Sequence, residues 1–401
     1  FMKILMLTPY VPYPPSSGGQ VRTYNLLKYL SKKNKITLVC LYKSEEEKKF
    51  FSQLKKYCTR VFFCLRPSSP WQIKNILKAV FSPYPFLVIR NYSNEATTLL
   101  KKLLAKEKFD IIHAETFYIL PHLPKTKTPV FLLEQTIEYQ VYEHFVESLP
   151  FFLKPFFLFD IWKLKESEIN FWKKVNLVGV VSEKDGKIIN KITKKKPVII
   201  PNAAGDEMIV KRLSKKSFKE PVVFFQGNFS WLQNTEAAQY LIKKIVPEAI
   251  KKIPQLTFII AGQKAKEKLG RHSCKNLKII DIKNEEIGLV KKLYKEATIF
   301  IAPIFGPGGT RLKILAAMAS GIPIISTATG VSGLAVEDKK HVLIASDSKE
   351  FVEKIDLLLK DDHLYYQLQK NAYLLIKEKY NWKKIAEKLE VVYQKILHHH
   401  L

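Results

Sequence analysis

The sequence predicts an α/β protein made of two doubly wound parallel-sheet domains. Three observations carry that reading. Short apolar runs alternate with longer amphipathic ones, the pattern of strands joined by crossover helices. The alternation halts in the polar, Pro- and Gly-marked stretch PNAAGDEMIVKRLSKKSFKE at 201–220 and then restarts. The 401 residues are also enough for two or three domains, each with a sizeable core.

In the first half, Met2–Leu7 reads as a buried strand. Gly18 and Gly19 open a helix running to about Lys32, and Lys35–Leu41 is the next strand. A helix and a third strand, Val61–Leu65, follow. After an irregular Pro-rich stretch, Asp110–Ala114, Val130–Leu133, Leu177–Val181 and Val198–Ile200 complete the first series. In the second half, Val222–Gln226 is a strand, Asn234–Ile250 a helix and Leu256–Ala261 a strand. Leu277–Ile280, Ile299–Ala302 and Ile322–Ser326 are further strands, and three helices run from Ser348 to about Leu397.

Hydrophobic residues make up 47% of the chain, normal for a globular protein, but the formal net charge is +29. Such a charge suits phosphate-rich ligands, an anionic membrane surface or nucleic acid, or else lysines filling solvated helix faces. No basic run is interleaved with aromatics in a nucleic-acid recognition motif, so no nucleic-acid partner is expected. Cys40, Cys58, Cys64 and Cys274 have neither Cys-x-x-Cys nor zinc spacing, which fits a reducing cytoplasm and no structural metal. No signal peptide is read, and neither Phe1 nor the histidines at 398–400 are given a function. No apolar stretch is long enough to span a bilayer. The nearest, LPFFLKPFFLFDIW at 149–162, is interrupted by Lys154, Pro155 and Asp160. It reads as a core helix, a membrane-interface segment or a cradle for a greasy acceptor.

Ligands of such sheets bind beyond the carboxyl ends of the strands. Two loops there are rich in glycine. In PYPPSSGGQVRTYNLL, Gly18 and Gly19 precede a helix, as a simple turn or as a backbone approach to an anion. In PIFGPGGTRLKILAAMASG, Gly306, Gly308 and Gly309 lead into a helix expected to start near Thr310. Free N–H groups there, with Arg311 and Lys313, would make a diphosphate cradle. The spacing is neither a P-loop nor the dinucleotide fingerprint. No nucleophile elbow occurs, and no Asp-x-Asp pair that would hold a metal for a sugar nucleotide. His113 is expected at the carboxyl end of a strand, with Glu115 two residues on.

Taken in order, TPYVPYPPSSGGQVRTYNLLKYL, FDIIHAE, LLEQTIEY, the run holding Glu166 and Glu168, VVSEKD and VIIPN resemble family-4 glycosyltransferases of the GT-B fold. FFQGNFSWLQNTEAAQYL, TFIIAGQK, APIFGPGGTRLKILAAMASGIPIIST and YNWKKIAEKLEVVY continue the likeness, which is greatest to the branch found in exopolysaccharide clusters. The resemblance implies two Rossmann-like domains facing across a cleft. The N-terminal acceptor domain would be 1–205, completed by a final helix over 380–401 that holds Trp382. The donor domain would be 206–379.

It further implies a retaining, metal-independent transfer of a sugar from a UDP-, GDP- or ADP-linked donor to a glycan or lipid-linked acceptor. The nucleotide-sugar is a substrate, and no cofactor is implied. The leaving diphosphate would help take the acceptor proton. Gly18, Gly19, Gly227, Asn228, Lys264, Gly308, Gly309, Thr310, Arg311, Lys313 and Ala316 would serve the donor; Arg22, Gln135 and Glu138 would serve the acceptor. Arg311, Lys313, His113 and Glu115 would carry the catalysis. The setting would be cytoplasmic, peripheral at the inner face of the plasma membrane.

The sequence departs from the family at Gly308 and Ala316, where two donor-site glutamates eight positions apart are usual. It departs also at Gln135-Thr136 in place of His-Asn, and at Asn202-Ala203-Ala204-Gly205 in place of Asn-Gly-Val-Asp. Ala316 therefore leaves a second expectation open, a weakened or inactive binding protein that keeps the fold.

Overall fold

The computed structural model describes residues 1–69, 72–270, 272–306 and 311–398. The chain divides into two compact units. One comprises Phe1–Pro15, Gly19–Pro201 and the described residues from Lys383 on. The other comprises Ser16–Gly18 and the described residues of Asn202–Trp382.

In the first unit seven described strands form one sheet: β1 (Lys3–Thr8), β2 (Lys35–Tyr42), β3 (Arg60–Leu65), β4 (Ile111–Glu115), β5 (Val130–Glu134), β6 (Leu177–Val180) and β7 (Val198–Ile199). Their order is β3-β2-β1-β4-β5-β6-β7, every pairing parallel. The apolar runs read as fully buried strands because helices cover both faces of a parallel sheet. Leu5, Leu7, Val39, Ile112, Leu132 and Val180 fill one side of the core. The strand order reverses between β1 and β4, where Met6 pairs with His113 and Leu7 with Ala114.

The second unit repeats the plan with six described strands: β8 (Val222–Gln226), β9 (Thr257–Gly262), β10 (Leu277–Asp281), β11 (Ile299–Ala302), β12 (Ile324–Ser326) and β13 (Leu343–Ile344). The order is β10-β9-β8-β11-β12-β13, so this sheet reverses between β8 and β11. Phe224, Phe225, Ile260, Ile301 and Ile325 are buried at its centre. These are the doubly wound parallel sheets that the sequence predicts.

Three local differences stand out, the first two with physical causes. The helix expected over 234–250 is three pieces, Leu232–Tyr240, a π-helical turn Leu241–Ile245, and Val246–Lys252. Pro247 has no N–H, and its ring would press on the Lys243 carbonyl, so the wider π turn takes up the misfit. β12 starts at Ile324 rather than Ile322 because Pro323 cannot donate to the ladder, although its carbonyl accepts from Phe300 N. His113 lies in the middle of β4, not at its end, and the strand finishes at Glu115.

Candidate active site

Both clusters of predicted site residues gather at the two reversal points, where the loops after neighbouring strands diverge and leave a crevice.

In the first unit, β1 leads through Thr8 to Tyr10, and the helix Gly18–Leu30 carries Arg22 inward. Arg22, His113 and Glu115 are all wholly buried. Glu115 Oε1 lies 3.5 Å from Arg22 Nε and 3.1 Å from His113 Nε2, and Oε2 accepts from Gln135 Nε2 at 2.7 Å. Burial alone would raise this carboxyl. The Arg22 charge and the His113 and Gln135 hydrogen bonds outweigh it and hold Glu115 below its usual range. A carboxylate only accepts, so His113 Nε2 carries a proton and, in the neutral ring, Nδ1 takes the hydroxyl proton of Tyr393. Tyr393 comes from the last helix, Trp382–His398. Arg22 Nη1 also donates to the carbonyls of Ile200 and Pro201, both at 3.2 Å.

Only the outer members of this network, Tyr10 and Gln135, reach solvent. Gln135 Nε2 donates to the Tyr10 hydroxyl at 2.9 Å, and that hydroxyl is 3.0 Å from Thr23 Oγ1. A Cβ on Gly19 would come within 2.6 Å of the same hydroxyl, so Gly19 makes room for Tyr10. Gly18 groups with the second unit.

Beside this lies a second buried set. Glu134 ends β5 and accepts from Trp172 Nε1 at 2.9 Å. Glu168 accepts from the backbone N–H groups of Glu138 and Tyr139, at 2.9 and 3.2 Å, and so caps the helix Glu138–Glu147. Burial pushes Glu134 and Glu168 well above the usual carboxyl range; the Glu134 charge raises Glu168 further, and the Glu138 charge raises both. Burial also lifts Glu138 to about 7, with Arg90 pulling the other way. Near neutrality, Glu138 can therefore both donate and accept a hydrogen bond.

In the second unit, Gly227 and Asn228 follow β8, and Arg311 ends the loop after β11 at the start of the helix Leu312–Ala319. Gly308, Gly309 and Thr310 lie outside the described residues. The helix begins at Leu312, two positions later than expected. Lys313 Nζ donates to Asn234 Oδ1 and stands 4.9 Å from the Phe225 ring centroid. Asn234 Nδ2 in turn donates to Asn228 O at 2.7 Å. Arg311 Nη2 donates to Gly306 O at 2.9 Å, while its buried Nε has no hydrogen-bond partner among the described residues.

Burial lowers Arg311 to about 10. Burial, and then the Arg311 charge, push Lys313 well below its ordinary value. Among the described residues no carboxylate answers either cation. Two cations held close in a low-dielectric setting without a counter-charge are costly unless an anion completes the site. Leu312, Lys313, Ala316 and Ser320 form the less buried stripe of their helix, so Ala316 lies on the same face as Lys313, one turn on.

The backbone under this site is tight. Gly262, at φ 154°, closes β9, and a Cβ there would lie 1.7 Å from the Gly227 carbonyl oxygen. A Cβ on Gly227 itself would come within 3.2 Å of Lys313 Nζ. Lys264 stands apart, exposed, with Nζ 3.5 Å from Glu267. Tyr10, Tyr393, Glu134, Asn234 and Gly262 were not singled out from the sequence. Asn234 had a signal in the Trp-x-x-Asn spacing of SWLQN, and Tyr10 in the aromatic, Pro-rich loop.

Residues 220–361 match the family model described as "Glycosyl transferases group 1". A Klebsiella pneumoniae protein described as an uncharacterized 44.6 kDa protein in the cps region is 23% identical over 402 residues, covering 96% of this chain and 97% of that one. Among solved structures, Anabaena HepE in complex with UDP-glucose superposes with a TM-score of 0.66 at 14% identity, covering 98% of this chain and 100% of that one. The sucrose-phosphate synthase of Thermosynechococcus elongatus gives 0.70 at 15% identity, with both chains covered in full. These two likenesses show the fold. The family match lies within the second unit, and the two-sheet GT-B fold extends over the whole chain.

Proposed function

We propose that the chain is a retaining glycosyltransferase that takes a nucleotide-sugar donor on its second unit and a glycan or lipid-linked acceptor on its first. The observation that carries this reading is the pair Arg311 and Lys313, two enclosed cations at a sheet reversal point with no carboxylate partner among the described residues. A nucleoside diphosphate supplies the missing negative charge. The UDP-glucose complex of the Anabaena structure makes uridine the first base to try, ahead of guanosine and adenosine.

In the transfer, the bond between the anomeric carbon and the diphosphate oxygen breaks as the acceptor oxygen attacks from the same face. The acceptor proton passes to the leaving phosphate oxygen. Charge grows on the diphosphate as that bond lengthens, and Arg311 and Lys313 are already in place to meet it. Asn234 fixes the ammonium, so little reorganisation is left for the reaction. The two side-chain cations take the part that a divalent metal plays elsewhere, which makes the reading metal-independent. On the first unit, Tyr10, Gln135 and Glu138 would face the acceptor, while Arg22, His113 and Glu115 hold Gln135 and Tyr10 from behind. The product belongs to polysaccharide or glycolipid synthesis, in keeping with the cps-region relative.

Ala316 favours a second reading. A glutamate here would accept hydrogen bonds from ribose hydroxyls, and its absence weakens the donor by about 1.5–3 kcal/mol. The chain would then be an attenuated transferase or a binding protein. Release of nucleoside diphosphate from UDP-, GDP- and ADP-sugars, with and without lipid-linked acceptors and after chelation of metals, distinguishes the two. Turnover with retained anomeric configuration by NMR supports the transferase. Absence of release from every donor leaves the binding protein.

A further inference from the structure

The first unit carries an apolar surface made from two segments far apart in the sequence. The helix Ile73–Phe81 buries Asn75 and Ala79, while Ile73, Leu77, Val80 and Phe81 face solvent on one side, with Ile73 76% and Phe81 85% exposed. The second segment is the start of the helix Lys154–Lys174 and the turn before it. Phe151 is 84% and Phe152 66% exposed, and Phe156, Phe159 and Trp162 are more than half exposed on successive turns. Beyond Trp162 the exposed positions of that helix turn polar, at Glu166 and Asn170.

The two segments are tied together. Buried Lys163 donates to the carbonyls of Ala79 and Ser82 at the end of the first helix, and Asp160 accepts from Phe86 N at 2.9 Å. Lys163 and Asp160 also pair at 3.5 Å. Lys163 thus holds the end of the first helix and Asp160 the start of the helix Phe86–Arg90 that follows it, while the aromatic groups are left outside. An exposed apolar surface of this kind calls for an occupant.

We propose that this surface seats the protein on an anionic lipid bilayer, with the phenyl and indole rings in the interface and the chain not crossing it. Charge decides the occupant. Between Glu47 and Glu95 the sequence holds no carboxylate, and Lys74 and Lys78 are exposed on the helix that carries the apolar face. A second copy would bring the same unopposed positive charge, on a chain with a net charge of +29, against itself. A bilayer offers a negative plane with an apolar layer beneath it, which matches rings flanked by lysines. Among the described residues no helix is long and apolar enough to cross a membrane, so the contact is superficial. This inference stands independently of the donor site.

Flotation of the full chain with phosphatidylcholine vesicles, with and without phosphatidylglycerol, tests it. The protein is expected to float with the anionic vesicles and to be released as salt rises. Lys74→Glu with Lys78→Glu should weaken binding roughly tenfold. Phe156→Ser with Phe159→Ser and Trp162→Ser should abolish it with circular dichroism unchanged. Ile73→Ser with Phe81→Ser gives an independent pair should the triple variant fail to fold. Absence of the folded chain from both kinds of vesicle would overturn the proposal, as would flotation of the triple variant equal to that of the parent. A concentration-dependent dimer that the same variants dissolve would also overturn it, giving the surface to a second copy.

Discussion

Lys313 and Asn234, 79 positions apart in the sequence, meet side chain to side chain at the carboxyl end of the second sheet, where the lysine ammonium donates to the Asn234 amide oxygen. Asn234 is itself anchored to the Asn228 carbonyl, so the ammonium is fixed by the loop after β8 while its own backbone belongs to the helix after β11. The reversal of strand order puts these two loops side by side.

Removal of the cation should cost more than removal of its anchor. Lys313→Ala is expected to lower kcat by roughly 10²–10³-fold, the usual cost of a lost transition-state charge partner. Asn234→Ala should cost about tenfold, because it frees the ammonium without deleting it. The double variant should lose little more than Lys313→Ala alone, since both act through one group. Steady-state rates on the three variants would show it; full additivity would mean that the two side chains act separately.

Donor binding should take up protons. Burial and Arg311 hold Lys313 well below its ordinary value in the empty site, and a bound diphosphate restores the preference for the charged form. Affinity therefore falls as pH rises through the depressed range of the empty site. Calorimetry in two buffers of different ionisation enthalpy should reveal net uptake in that range, and Lys313→Met should abolish it.

The raised buried carboxyls Glu134, Glu138 and Glu168 predict the opposite of ordinary acid denaturation. Glu138 is raised from 4.5 in its unperturbed state to about 7 in the fold. Between those values the folded protein keeps a proton that the unfolded chain has released, so this group's contribution to stability falls as pH rises through the window. Glu134 and Glu168 act in the same sense. Thermal melts of Glu138→Gln should show a flatter pH profile than the parent over this window and a higher Tm above it. A parent profile no steeper than the variant's would contradict the assignment.

Tyr393→Phe deletes one hydroxyl and leaves His113 Nδ1 buried without its partner. The expected loss is about 1–3 kcal/mol of stability, read from denaturant midpoints at constant slope. Because this network sits behind Gln135 and Tyr10, the same variant should raise the acceptor KM more than the donor KM.

The sheets were legible because a parallel strand buried on both faces leaves an apolar run that few other elements imitate, as at ILML, VVFF and FIIA. β4 was harder to place. FDIIHAE carries two polar residues through a wholly buried strand, so His113 looked like its end. Arg311 and Lys313 stood out because glycines and basic residues cluster within one loop. Their anchor did not, since the Lys313–Asn234 contact is made by topology across 79 positions. The same holds for Tyr393, which reaches His113 across 280 positions, and for Gly262, whose need shows only when the Gly227 carbonyl is seen against it. The π turn at 241–245 had a local sign in Pro247, but the apolar period runs straight through it.

The most direct test is calorimetric titration of UDP, GDP and ADP into this chain, Lys313→Ala and Ala316→Glu. One nucleotide should bind the parent, and Lys313→Ala should lose at least roughly tenfold in affinity. Ala316→Glu should bind roughly tenfold or more tightly than the parent, through the ribose hydroxyls. Binding unchanged by Lys313→Ala, or no binding to any of the three proteins at millimolar nucleotide, would contradict a diphosphate site at Arg311 and Lys313.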